Sequence, residues 1–225
     1  MKTAILVDGG FYRKRALSVI GAKSPKDRAD ELEKYCRAHL RSHNENNSLY
    51  RVFYYDCLPS DKIVYHPLTK KQIDLSKSLL NTWMKQFIDE LKHRRKFAMR
   101  LGVISDSNAA YTLTSRTVKK LCNGTLSISD LTEEDFYIDD LNQKGVDMKI
   151  GIDIASLAYK KQVDQIILIS GDSDFVPAAK LARREGIDFI LDAMGQHILP
   201  DLYEHIDGLR SADKAYTSAN RGQTI

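Results

Sequence analysis

Four aspartates stand where a parallel α/β sheet collects reactive groups. Asp8 closes the apolar run Ala4-Ile5-Leu6-Val7. Asp172 and Asp174 follow the run Gln165-Ile166-Ile167-Leu168-Ile169 through Ser170-Gly171, and Asp147 falls in the first turn of a helix opened by Lys144-Gly145-Val146. Ligands bind outside the carboxyl ends of parallel strands, near the point where strand order reverses. Carboxylates gathered there push one another's pKa upward unless a cation offsets their charge. Oxygen donors without clustered Cys or His favour Mg²⁺ or Mn²⁺ over Zn²⁺. Such an ion, completed by water and a substrate phosphate, suits phosphodiester hydrolysis: it activates water and stabilises charge on the phosphate and the leaving oxygen.

Each acid also has a plain structural explanation. Asp172 or Ser173 can cap the helix that follows, Asp147 is an acid in a first helical turn, and Asp8 before Gly9-Gly10 can be a turn residue. Capping alone accounts less well for acids at three separate junctions on one edge. Lys144 and Ser170 are the candidate substrate contacts, with a solvated lysine as the alternative for Lys144. The run Lys92-His93-Arg94-Arg95-Lys96 reads first as a solvated face and second as a nucleic-acid contact. Phe11 and Tyr12 read first as a hydrophobic helical turn and second as a platform for bases. Asp153, about 120° around the helix from Asp147, is assigned a supporting role.

The elements that must position these groups are legible as alternating strands and helices. Ala4 to Val7 is a buried strand, and helices are predicted at about 11–20 and 28–43. The aromatic, β-branched run Leu49 to Tyr55 is a second strand. A helix carrying Leu79, Leu80, Trp83, Phe87, Ile88 and Leu91 and a strand over 97–104 follow. After Asp147 come the strand 165–169, a helix over 175–185 with Pro177 in its first turn and Gly186 at its end, and a strand over 187–191. The pattern predicts an α/β fold with a central, mainly parallel sheet and helices on both faces.

One domain over residues 1–210 is expected, with an insertion at about 58–140 and a polar tail at 211–225. The chain has 225 residues, 43% hydrophobic and 28% charged, which excludes disorder and low complexity. A net charge of +4 is compatible with a polyanionic partner but too small to imply one. Cys36, Cys57 and Cys122 are odd in number and lack CxxC spacing, so reduced thiols in a cytoplasmic protein are expected. No run of apolar residues approaches a membrane span or a signal segment, and no membrane partner is expected.

Three stretches together resemble the NYN domain, specifically its LabA-like branch. These are Ile5-Leu6-Val7-Asp8-Gly9-Gly10-Phe11-Tyr12, Lys144-Gly145-Val146-Asp147 with Asp153, and Ile169-Ser170-Gly171-Asp172-Ser173-Asp174-Phe175-Val176-Pro177. The resemblance covers about 2–57 and 143–209. It implies a PIN-like three-layer sandwich, ribonuclease activity dependent on Mg²⁺ or Mn²⁺, and Asp8, Asp147, Asp172 and Asp174 as metal ligands and catalytic acids. RNA or another single-stranded nucleic acid is then the expected partner, with a homodimer as a further option. Many NYN domains carry Asn shortly after the first Asp, where this chain has Gly10 and Phe11. Two alternatives stand beside it: an inactive module that binds RNA or protein, and a haloacid-dehalogenase-type phosphatase. The latter requires an acid two residues after Asp8, where Gly10 stands.

Overall fold

The computed structural model describes residues 1–42, 45–139 and 142–218. Seven strands form the main sheet: β1 (Lys2–Asp8), β2 (Ser48–Cys57), β3 (Phe97–Ser105), β4 (Asn142–Lys144), β5 (Gln165–Ile169), β6 (Asp188–Asp192) and β7 (Gly208–Leu209). Among the described residues eight α-helices accompany them: α1 (Gly9–Ile20), α2 (Pro25–His39), α3 (Leu79–Lys92), α4 (Ser115–Cys122), α5 (Val146–Tyr159), α6 (Val176–Arg184), α7 (Pro200–Glu204) and α8 (Lys214–Ser218). The chain separates into two compact units, one of Met1–Cys57, Gln86–Gly102 and Gly145–Ile225, the other of Leu58–Lys85 and Val103–Lys144.

In the larger unit six strands run parallel in the order β3-β2-β1-β5-β6-β7, with helices around them. This is the α/β architecture the alternation of elements predicts. From β1 the chain steps outward through β2 and β3, then returns to the other side of β1 as β5, so strand order reverses between β1 and β5. Val7 pairs in register with Ile169, which sets Asp8 and Ser170 side by side beyond the ladder. Ala4 to Val7 and Ile166 to Ile169 are all buried. Continuous apolar runs are what a parallel strand covered on both faces requires.

Local signals place the helix ends. Ser24 caps α2, accepting from the Asp27 amide at 3.1 Å, with Pro25 in the first position where its missing N–H costs nothing. Gly186 takes φ +83° just after α6, a conformation that favours glycine. Helix α2 was expected to reach 43 but ends at His39, whose buried ring is held by Asp192; residue 43 lies outside the described residues. Of the expected polar tail, 214–218 form α8 with Tyr216 buried, and 219–225 lie outside the described residues.

The smaller unit contains two antiparallel hairpins, Ile63–His66 with Lys71–Asp74 and Ala110–Leu113 with Phe136–Asp139. The His66 ring packs against Tyr111 and Phe136. Lys62 Nζ donates to the carbonyls of Asp106, Ser107 and Ala109, tying two loops together. Strand β4 pairs antiparallel with 103–105. The stretch expected as one insertion at 58–140 is thus interrupted by Gln86–Gly102, which gives half of α3 and most of β3 to the larger unit.

Candidate metal centre

Asp8 leaves the end of β1 half-buried. One carboxylate oxygen caps α1 by accepting from the Phe11 amide at 3.0 Å, and the other accepts from Ser170 Oγ at 3.2 Å. Burial pushes its pKa up; the Phe11 and Ser170 hydrogen bonds pull it back, and the charges of Asp147 and Asp56 raise it further. Ser170, expected as a substrate contact, is fully buried. Its hydroxyl accepts from the Asp172 amide at 3.3 Å while donating to Asp8, so it joins the two acidic stretches and faces no solvent.

Asp172 caps the tight turn Ser173–Phe175, accepting from the Asp174 amide at 2.9 Å. Both Asp172 and Asp174 are exposed. Asp147 occupies the second position of α5, exposed, and its pKa is raised by partial burial and by the charges of Asp172 and Asp174. Capping is therefore real for Asp8 and Asp172, and it coexists with mutual repulsion across the group. Among the described residues no Lys, Arg or His forms an ion pair with any of the four. Lys144 ends β4, exposed, in the smaller unit.

Two glycines lock this edge. A Cβ on Gly9 would lie 2.5 Å from the Tyr54 ring and hydroxyl and 2.6 Å from Asp56 Oδ2, so only glycine lets α1 start over that pair. A Cβ on Gly171 would meet the Phe11 ring at 2.8 Å. Phe11 thus packs on the loop that carries Asp172, and Tyr12 is buried with its hydroxyl on Glu31 at 3.2 Å. The alternative of Tyr12 as a stacking platform fails for want of exposure. Of the basic run, Arg94 is taken up by Asp30 and Glu33, so that part of it is structural.

The same edge holds acids that sequence reasoning passed over. Asp56 is fully buried and bidentate to Arg13 at 2.8 and 3.0 Å, with Tyr54 Oη donating at 2.9 Å. Asp192, also fully buried, accepts from Tyr35, from Met194 N at 2.7 Å and from Ser211 Oγ at 3.0 Å, and meets His39 Nε2 at 2.8 Å. An acid at the carboxyl end of the predicted 187–191 strand was the available signal for Asp192. Asp153 has the supporting role expected, accepting from Tyr55 Oη and Arg100 Nε, both at 2.8 Å.

Oxygen donors without compensating cations are the chemistry that a hard divalent ion satisfies, so the residues fit Mg²⁺ or Mn²⁺ in kind. The four are nonetheless spread. The one acid-histidine trio with ligand atoms all within 4.8 Å among the described residues is Asp201, Glu204 and His205, on the five-residue α7. A cavity of about 790 Å³ lies elsewhere, lined by Lys23, Asp27, Glu31, Tyr35 and Tyr216 and by none of the four aspartates. Lys23 and Glu31 already pair at 2.7 Å across it.

No helix among the described residues is long and apolar enough to cross a membrane. No curated protein matches the chain. A crystal structure of a protein of unknown function from Vibrio parahaemolyticus is similar at 14% identity over 95% of this chain and 94% of that one, with a TM-score of 0.48. The NYN domain matches residues 84–204, which include Asp147, Asp172 and Asp174 and leave Asp8 outside. With that match spanning more than half of its length, the chain belongs to the NYN domain family, within the PIN-like nuclease superfamily.

Proposed function

We propose that this protein is a divalent-metal-dependent ribonuclease of the LabA-like branch, with Asp8, Asp147, Asp172 and Asp174 as its metal-binding, catalytic acids. The observation that carries this reading is the charge balance of the sheet's carboxyl edge: the neighbouring acids Asp56 and Asp192 each have a partner, while these four have no ion pair among the described residues. Neighbouring acids add to the raised pKa of Asp8 and of Asp147; carboxylates in that position cost stability, and a bound cation removes that cost.

Mg²⁺ or Mn²⁺ held there would supply Lewis acidity toward a phosphate oxygen and activate water for in-line attack. The chain's own contribution is placement. The Phe11 amide and Ser170 hydroxyl fix Asp8, the Asp174 amide fixes Asp172, and α5 delivers Asp147 from its first turn. Ser170 acts as a positioning residue in this scheme.

Purified protein incubated with mixed RNAs and Mn²⁺ should cleave them, and Asp172→Asn should not; equal cleavage by both forms would sink the assignment. Mn²⁺ should also raise the melting temperature of the intact protein and leave that of Asp172→Asn nearly unmoved. A protein that binds RNA without cleavage and without a Mn²⁺ shift would be a binding module instead.

A further inference from the structure

Helix α5 is apolar on two opposite faces. Val146, Ile150, Ile154, Leu157 and Ala158 enter the core, while Met148, Ile152 and Tyr159, spaced four and seven residues apart, are 71%, 59% and 57% exposed. A helix apolar all round belongs in a core or under a partner. Beside this stripe runs α6, which packs against α5 and exposes Lys180 and Arg184 one turn apart. Arg184 Nη2 donates to Tyr159 Oη at 3.4 Å, and Lys160 and Lys161 follow at the end of α5. Among the described residues Lys160, Lys161 and Lys180 form no ion pair, and Arg184 meets only Glu185, at 3.6 Å.

We infer that this outer face of α5 and α6 is a track for one strand of RNA leading away from the aspartates. The inference rests on the nuclease reading for the identity of the polyanion. Both helices begin at the candidate centre: Asp147 is in the first turn of α5, and Asp174 lies in the turn that enters α6. From Asp147 to Tyr159 α5 rises about 18 Å, room for about five stacked nucleotides. Tyr159 offers an aromatic face on which any base stacks, Met148 and Ile152 add apolar surface along the same line, and the flanking cations answer the phosphates. A wholly apolar partner surface would leave those cations unanswered.

The test is fluorescence anisotropy with a labelled oligouridine of about ten nucleotides, in EDTA so that binding is read without cleavage. The pair Lys180→Ala with Arg184→Ala should weaken binding and flatten the dependence of log Kd on log salt by about 1.4, at about 0.7 for each cation. Tyr159→Ala should weaken binding about tenfold. Lys34→Ala, on α2, should change neither, and circular dichroism should show every variant folded. Unchanged affinity and salt slope in the first two would overturn the track. So would a dimer in light scattering that Ile152→Asp converts to a monomer with undiminished RNA binding, because the face would then belong to a second copy. Track-dependent binding by a protein that cleaves nothing would support the track and count against the nuclease reading.

Discussion

Two groups of aspartate share the carboxyl edge of one sheet and are treated in opposite ways. Asp56 and Asp192 are fully buried, yet each is well hydrogen-bonded, by Arg13 and Tyr54 in one case and by His39, Tyr35, Ser211 and a backbone amide in the other. Asp8, Asp147, Asp172 and Asp174 are more accessible and, among the described residues, lack an ion pair. Burying a carboxylate is costly unless it is paired and hydrogen-bonded, so the first group is what folding demands of any acid placed there. The second group runs against that demand. Accessible acids that repel one another destabilise the chain by itself, and the proposed cation would offset that cost.

The contrast is broken most forcefully by removing a partner from the buried group. Arg13→Met removes the bidentate guanidinium from the buried Asp56 while the Tyr54 hydroxyl and the Cys57 amide still donate to it. Truncating one member of a buried pair costs about 3–5 kcal/mol. Urea unfolding should show a loss near the lower end, since the Arg13 side chain keeps 20% exposure. Adding Asp56→Asn should restore part of it. A loss below about 1 kcal/mol would place Asp56 with the uncompensated acids and dissolve the distinction.

The glycines that seat the two groups should rank next. Gly9→Ala drives a methyl against Tyr54 and Asp56 at once, where neither can retreat without disturbing the Arg13 pair, and overpacking of that kind costs about 2 kcal/mol. Gly171→Ala meets only the edge of the half-buried Phe11 ring, so about 1 kcal/mol is expected from the same unfolding measurement. Its larger effect should fall on the Mn²⁺ thermal shift, because it displaces the loop carrying Asp172. Equal costs at both positions would mean that Phe11 is held as firmly as Tyr54.

The four candidate acids were singled out from the sequence and the compensated ones were passed over, although Asp192 carries the same local signal at a strand end. Asp8, Asp172 and Asp174 follow apolar runs directly, and Asp147 follows Gly145 at a helix start, so each signal is local. The mainly parallel character of the sheet was readable from the alternation of elements, and the continuous apolar runs Ala4 to Val7 and Ile166 to Ile169 marked its buried central strands. Asp56 and Asp192 acquire meaning only from partners 43 and 153 residues away, and nothing local to Arg13 or His39 announces the pairing. Ser170 was expected as a substrate contact; it is buried where the β1–β5 register sets it beside Asp8. That Gln86–Gly102, inside the expected insertion, belongs to the larger unit was not legible, because α3 and β3 each cross the division without a break in their own patterns.

The smallest expected effect is the sharpest test, because its sign separates the two groups. The pKa of Asp147 is raised above the ordinary 3.8, first by burial and then by Asp172 and Asp174. A carboxyl group that holds its proton more tightly when folded favours the fold at low pH. That advantage fades as pH rises through 3.8 and is gone once pH passes the raised folded value, above which the ionised group is a constant burden. Asp147→Asn removes the burden. In EDTA near neutral pH its melting temperature should exceed that of the unaltered protein by about 1–2 °C, with the gap closing as pH falls toward 4. With Mn²⁺ added the order should reverse, because only the aspartate gains from the cation. Removing a charge from the compensated group should destabilise under both conditions, so a fall in melting temperature for Asp147→Asn in EDTA would put Asp147 among the structural acids and leave three candidates for the ion.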